Sequence, residues 1–466
     1  MHTAILPAVR PAPPPRPRLL HLAWPLYVEL LLGIAIGLVG TALAARLSDR
    51  AGGAFALSNH VSGTLFILFR IIGAGVSVVI TQALGAGRRD RADAVARATL
   101  GASSWLGGFT GGLALIGAAP LLRLMNAPAD VLPLAAPFLQ ALAPAMLLDA
   151  WNASMGGVMR AHLRTRDTLL VIVAMQVCQL ALALPLMLGV GAWAGWGLPG
   201  YALALAASRS LGVALHLLLW RQRLGLRPQR GDWWRLRRKP LAGVLHIGLP
   251  SAAENVAYRL GFMVSLAVVG SLGAQALATH AYVQQVNFVV MLSGLATGFA
   301  VEILVGHLVG AGQLHDAHRL VRRSLARGLM LSVGVAFAAA LAGRTLLGCF
   351  THDEAILAAG SALLWWSVVL EPGRTFNLVV INALRATGDA RFPVVAGAAS
   401  MVIVLAGGSW FLGQHLGLGL TGIWIAYAAD EWIRGLLMWR RWSRHHWVPF
   451  ARATHRRVHQ HSQTFR

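Results

Sequence analysis

Seven carboxylates lie inside long apolar stretches of this chain: Glu29, Asp149, Glu254, Glu302, Glu371, Asp430 and Glu431. The whole sequence has only 17 acidic residues, so apolar surroundings retain acids selectively. Such a group is costly unless it is paired, protonated or reached by water, and it marks a functional site by default. The chemistry available is reversible binding of a proton or a cation. Desolvation favours the protonated acid, and an arriving cation favours the ionised one.

Glu29 and Glu254 are the leading pair for cation coupling or substrate binding, because each stands four residues after a proline, Pro25 or Pro250. The competing structural role is a cap on a proline-broken turn, or a bond within one bundle. Asp149 has no basic residue at helical spacing; it precedes Arg160 by eleven residues, about 16 Å along a helix. Glu302 likewise has no basic residue at helical spacing. Glu371 has Arg374 three residues on and Asp430 has Arg434 four on, so both pairs read first as structural ion pairs, with Glu371 kept among the site residues. Arg259 lies about 140° round a helix from Glu254, a poor direct partner. Asn59, Asn255, Tyr258, Arg259, Gln284 and Asn287 are the polar residues expected to fill out the site. No metal site is expected, since Cys178 and Cys349 lack partners at ligand spacing. The histidines of the tail, His445, His446, His455, His459 and His461, are weighed as a metal tail and set below a solvated tail drawn to anionic lipid.

The elements that must position these groups follow from composition. Hydrophobic residues make up 56% of the chain and charged ones 12%, against roughly 25% charged in soluble domains. A membrane helix needs about 20 apolar residues. Twelve such segments can be counted, near 20–46, 55–84, 94–122, 131–158, 168–190, 198–220, 242–269, 276–308, 317–347, 355–383, 392–413 and 418–440. The expected fold class is an all-α polytopic membrane protein. Residues 1–19 form a Pro/Arg-rich leader with no signal-peptide pattern, 20–221 a first six-helix bundle, 222–240 a basic linker lying at the headgroups, 241–442 a second bundle, and 443–466 a basic, His-rich tail.

The net charge of +23 is absorbed by orientation. With the N-terminus in the cytoplasm, 31 of the 40 basic residues fall in cytoplasmic segments or the span ends that border them, four on the opposite side and five deeper within spans. This asymmetry puts both termini in the cytoplasm and leaves no need for a nucleic-acid partner.

An internal repeat organises the whole. Shifting the sequence by 225 lays Pro25 on Pro250, Glu29 on Glu254, Asn59 on Gln284, Gly73 on Gly298, Gly85-Ala86-Gly87 on Gly310-Ala311-Gly312, Asn152 on Asn377 and Arg160-Ala161 on Arg385-Ala386. The shift spans six helices, an even number, so the halves are parallel repeats about an axis along the membrane normal. Two bundles meeting at such an axis enclose a cleft that rocking exposes to each side in turn. A secondary transporter is the expectation.

The run Gln82-Ala-Leu-Gly-Ala-Gly-Arg88 and its counterpart His307-Leu-Val-Gly-Ala-Gly-Gln313 resemble signatures after the second and eighth helices of the multidrug and toxin extrusion (MATE) transporters, in the multidrug/oligosaccharidyl-lipid/polysaccharide exporter superfamily. Gly248-Leu-Pro-Ser-Ala-Ala-Glu254 and Ala383-Leu-Arg-Ala-Thr-Gly-Asp-Ala-Arg391 resemble the family's seventh helix and its loop between helices ten and eleven. The resemblance implies twelve helices in two pseudo-symmetric bundles and an antiporter that exports organic, often cationic compounds in exchange for protons or sodium. Gly40 stands where many members carry a first-helix Asp, so the usual coupling residues do not transfer.

The expectation is therefore a monomeric antiporter of the bacterial inner membrane, moving an organic cation or amphiphile among membrane lipid, with no cofactor beyond the coupling ion. It is not an enzyme, and no Gly-rich loop ending in Gly-Lys-Ser/Thr points to ATP. The alternatives are a lipid-linked sugar or amphiphile flippase, for which a more basic cleft is expected, and a membrane-embedded transferase.

Overall fold

A computed structural model describes residues 18–125 and 127–460; most of the leader, His461 and the end of the tail lie outside the described residues. The first half runs through α1 (Leu19–Leu47), α2 (Asp49–Gly85), α3 (Arg89–Ile116), α4 (Ala118–Leu124), α5 (Leu132–Ala141), α6 (Ala143–Ala161), α7 (Thr165–Leu188) and α8 (Leu198–Leu219). The second runs through α9 (Arg238–Ser271), α10 (Ala274–Gly310), α11 (Leu314–Leu341), α12 (Gly343–Gly348), α13 (Glu354–Thr387), α14 (Arg391–Ser400, continued by π-helical turns to His415) and α15 (Gly419–Ser443). A last helix, α16 (Val448–Gln460), follows.

The shift of 225 carries α2 onto α10 and α3 onto α11 without a residue of slip at either end. The structure is two repeated six-helix halves. Among the described residues nine helices are long and apolar enough to cross a membrane, or eleven when α3 with α4 (bent by 78°) and α5 with α6 (bent by 45°) each count as one crossing. The remaining crossing is α15, whose Asp430, Glu431 and Arg434 lower its hydropathy.

Among the described residues the main packing between the halves is at one end. There α2 packs on α9 and α10, and α1 on α10. Ile72, Val76 and Val79 meet Val244 and Ile247, while Leu22 and Leu26 meet Ala296, Ala300 and Leu304. This is the end that carries the arginine-rich turns, here termed the basic end. At the opposite end each half has its own core, one around Phe55, Phe138 and Tyr201, the other around Leu363, Trp424 and Tyr427. The result is a V, closed at the basic end.

The linker, expected at the headgroups, packs on the first half: Trp233 stacks edge-on against Trp151, Trp105 donates to the Trp234 carbonyl, and buried Asp232 pairs with Arg237 at 2.6 Å. The tail is not simply solvated: α16 buries Ala451, Thr454 and Val458 and lies across the basic end against α2, α10 and α13.

Candidate functional site

The largest buried charge cluster is in the second half. On α13, Glu371, Arg374 and Asn377 recur at three-residue spacing and share a face; on α15, Asp430, Glu431 and Arg434 do the same at spacings of three and four. Arg374 donates to Glu371 at 2.7 Å and reaches Glu431 at 3.3 Å. Asn377 donates to Glu431 at 3.0 Å. Arg434 binds Asp430 at 2.6 Å and Glu431 at 2.9 Å, and Ser400 donates to Asp430 at 2.6 Å. The sequence showed two separate ion pairs; packing of α13 on α15 joins them into one network through Glu431.

The network holds three carboxylates against two guanidinium groups. Glu371, 1% exposed, keeps Oε2 without a hydrogen-bond partner, and Asn377 keeps its Oδ1 so. Buried acceptors of this kind are rare and call for an explanation. Beside the network is a cavity of about 10 Å³, lined by Tyr258, Gln284, Arg374, Tyr427, Asp430 and Glu431, with room for about one water. Arg434 also lies over the Tyr258 ring, 5.9 Å from its centre.

The same depth of the first half is sparsely charged. Asp149, which has no basic residue at helical spacing, has Arg209 of α8 at 2.6 Å, a partner that spacing within one segment could not anticipate. Arg209 extends to Gln179 at 3.5 Å, and Gln179 donates to the Tyr201 hydroxyl at 2.8 Å. Asn152 donates to the Arg209 carbonyl at 2.9 Å.

Glu29 and Glu254, expected as the leading pair for cation coupling or substrate binding, are each tied to an arginine of their own half. Arg160 meets Glu29 at 2.8 Å, and Arg385 hydrogen-bonds Glu254. The two ion pairs are themselves related by the shift of 225, so the bond within a bundle is the arrangement present. Both arginines stand in the last turns of their helices, near the basic end.

Glu302 is buried on α10. Asn255 donates to the Ser251 carbonyl at 2.7 Å, a bond within its own helix. Asn287 is buried and donates to Ser367 at 2.8 Å. Asn59 is partly buried on α2, and Arg259 is exposed on α9, away from the network that Tyr258 and Gln284 border. Among the described residues no group of three His, Cys, Asp or Glu side chains is arranged to hold a metal ion. Sequence reasoning ranked Glu371 low and set Asp430 and Glu431 aside; the available signal was that two helices of one half each carry acid and arginine at three- or four-residue spacing.

The MatE family model matches this chain twice, over residues 25–184 and 250–410, one match per half. An uncharacterized transporter YisQ of Bacillus subtilis is 31% identical over 430 residues, spanning 92% of this chain and 94% of that protein. A probable multidrug resistance protein NorM of Thermotoga maritima is 24% identical, spanning 91% of each chain. Among solved structures, a superfamily transporter from Pyrococcus furiosus superposes with a TM-score of 0.84 at 18% identity, covering 93% of this chain and 96% of that one. A MATE structure in a bent conformation superposes with a TM-score of 0.85 at 18% identity, covering 94% and 96%. The two matches of the family model, together covering more than half the chain, and the close full-length relative lead to one conclusion: this protein is a multi-pass membrane transporter belonging to the MatE, or multidrug and toxin extrusion, family.

Proposed function

We propose that the protein is a cation-coupled antiporter that exports organic cations or amphiphiles across a bacterial inner membrane, and that the network of α13 and α15 carries the coupling ion. The basic end faces the cytoplasm in this reading, supported by the 31-to-4 distribution of basic residues. The observation that carries the proposal is the charge balance of the network. Three buried carboxylates and two guanidinium groups leave one negative charge in the membrane interior, where an uncompensated charge is costly. A proton or a sodium ion removes it, and the unpartnered Oε2 of Glu371 is the atom that would receive either. An organic cation entering the cleft competes for the same negative field, so loading one expels the other. Glu29 and Glu254 drop behind Glu371, Asp430 and Glu431 as coupling groups, because each already has its counter-charge.

The test is ethidium export in proteoliposomes with an imposed proton gradient in one arm and a sodium gradient in the other. Glu371→Gln is expected to lower gradient-driven export by about tenfold or more while ethidium binding stays within about threefold, the pattern of a lost coupling group rather than a lost binding contact. Asp149→Asn should retain the driven rate within about threefold. Driven export at the wild-type rate in Glu371→Gln would overturn the assignment.

A further inference from the structure

The strongest repeated feature of the structure is not the acid network but the closure of the basic end. An α-helix leaves its last four carbonyls without intrahelical donors. Ala161 is the last residue of α6, and Ala386 is next to last in α13. Each of these carbonyls receives its hydrogen bond from the opposite half. Gln82 of α2 donates Nε2–H to the Ala386 carbonyl at 2.8 Å, and His307 of α10 donates Nε2–H to the Ala161 carbonyl at 2.9 Å. Gln82 and His307 are repeat counterparts, as are Ala161 and Ala386, so one bond maps onto the other through the shift of 225. Two different residue types hold one geometry because both offer an N–H at the same reach.

The surroundings make the pair a nexus. Arg160 and Arg385, the residues just before the accepting carbonyls, are those that bind Glu29 and Glu254. The helix ends that accept across the axis are therefore fastened by their side chains to α1 and α9 of their own halves. Beside the bonds, the backbones touch. A Cβ on Gly85 would overlap the His307 carbonyl, and one on Gly310 would overlap the Gln82 carbonyl. Glycine is needed at both for this approach. Two residues further on, Gly87 and Gly312 take φ of +72° and +74°, turning the chain into α3 and α11. The Gly-Ala-Gly run thus serves contact and turn together. From outside, α16 adds a third layer: His455 bonds the Gly310 carbonyl at 2.8 Å, and Arg91 of the first half donates to the Arg457 carbonyl at 2.8 Å.

We propose that Gln82 and His307 are positioning residues of the transport cycle, a reciprocal pair of helix caps across the two halves that holds the basic end shut and has to release before the cleft can open there. Release leaves two helix-end carbonyls to be met by water, which the open cleft supplies. The pair acts on the equilibrium between the two access states and touches neither coupling ion nor cargo. The proposal rests on the transporter reading only through its transport assay; the distance measurement below is independent of it.

The test uses the full chain with Cys178 and Cys349 replaced by serine and spin labels at Asp90→Cys and His315→Cys, exposed repeat counterparts at the basic ends of α3 and α11. Pulsed electron paramagnetic resonance reads the label separation in proteoliposomes, and ethidium export is measured in parallel. In Gln82→Leu/His307→Leu, which removes both donors, the closed-to-open ratio is expected to fall by about tenfold or more, seen as a longer-distance population, with a matching loss of export. The exchange variants Gln82→His and His307→Gln keep an N–H at each site and should retain the wild-type distance distribution and export within about threefold. An unchanged distance distribution in the double leucine variant overturns the proposal, whether or not export falls. So does an exchange pair that behaves like the leucine pair. A failure of Glu371→Gln to uncouple export would leave the distance result untouched, so the two readings fail separately.

Discussion

The cores of the two halves keep one skeleton and differ in charge. Under the shift of 225, Asp149 falls on Arg374, Asn152 on Asn377 and Arg209 on Arg434. In the first half this yields one acid and one base, a balanced pair. In the second half the acid of that pair has become an arginine, and Glu371, Asp430 and Glu431 stand where Met146, Leu205 and Ala206 stand in the first. The basic end shows the opposite history: ion pairs, helix caps and contact glycines persist in both halves. Where two halves must close on one another, a change in either spoils the fit. Where each half packs only on itself, charge can diverge, and the proposed coupling site lies in the half where it has done so.

Three sets of substitutions probe this contrast, from the largest effect to the smallest. Arg374→Met removes the guanidinium that binds Glu371 and one of the two that bind Glu431. Breaking a buried pair costs about 3–5 kcal/mol, and the loss is expected at the upper end here, against a smaller one for Arg209→Met, whose pair is less buried. Thermal unfolding in detergent measures both, and equal losses would remove the distinction between the cores. Next, Gly85→Ala and Gly310→Ala should each destabilise by about 1–3 kcal/mol through overpacking, and by similar amounts, because the two contacts are repeats of one another. The same unfolding assay checks it; a harmless change at either site would show that the closure is not symmetric. Smallest of all, Asp149→Leu/Arg209→Leu should leave stability within about 1 kcal/mol and gradient-driven export intact, since a balanced buried pair can be replaced by apolar groups at little cost. Loss of coupling in that variant would bring the first half into the ion site.

Much of the architecture was legible in the residues. The constant shift between halves was visible because Pro, Gly, Glu and Arg are scarce enough in apolar sequence for their coincidences to count, and the helix ends of α2 and α10 fall on that register. The bends within the third and fourth crossings were not legible, since Pro and Gly recur in straight helices as well. At the site, the spacing of Glu371 with Arg374 and of Asp430 with Arg434 correctly announced ion pairs, because residues three and four apart must meet on a helix.

What the sequence by itself determined is local and periodic: spans, basic turns, the repeat, and partners within one helical turn. Only the tertiary structure decided which charges are balanced. Asp149 finds Arg209 sixty residues away, Glu29 finds Arg160 across 131, and Glu431 draws two ion pairs into one network with an odd carboxylate. These outcomes depend on which helix faces meet. That is set by packing among helices whose surfaces are all apolar, and apolar surfaces leave little trace of their neighbours in the order of residues.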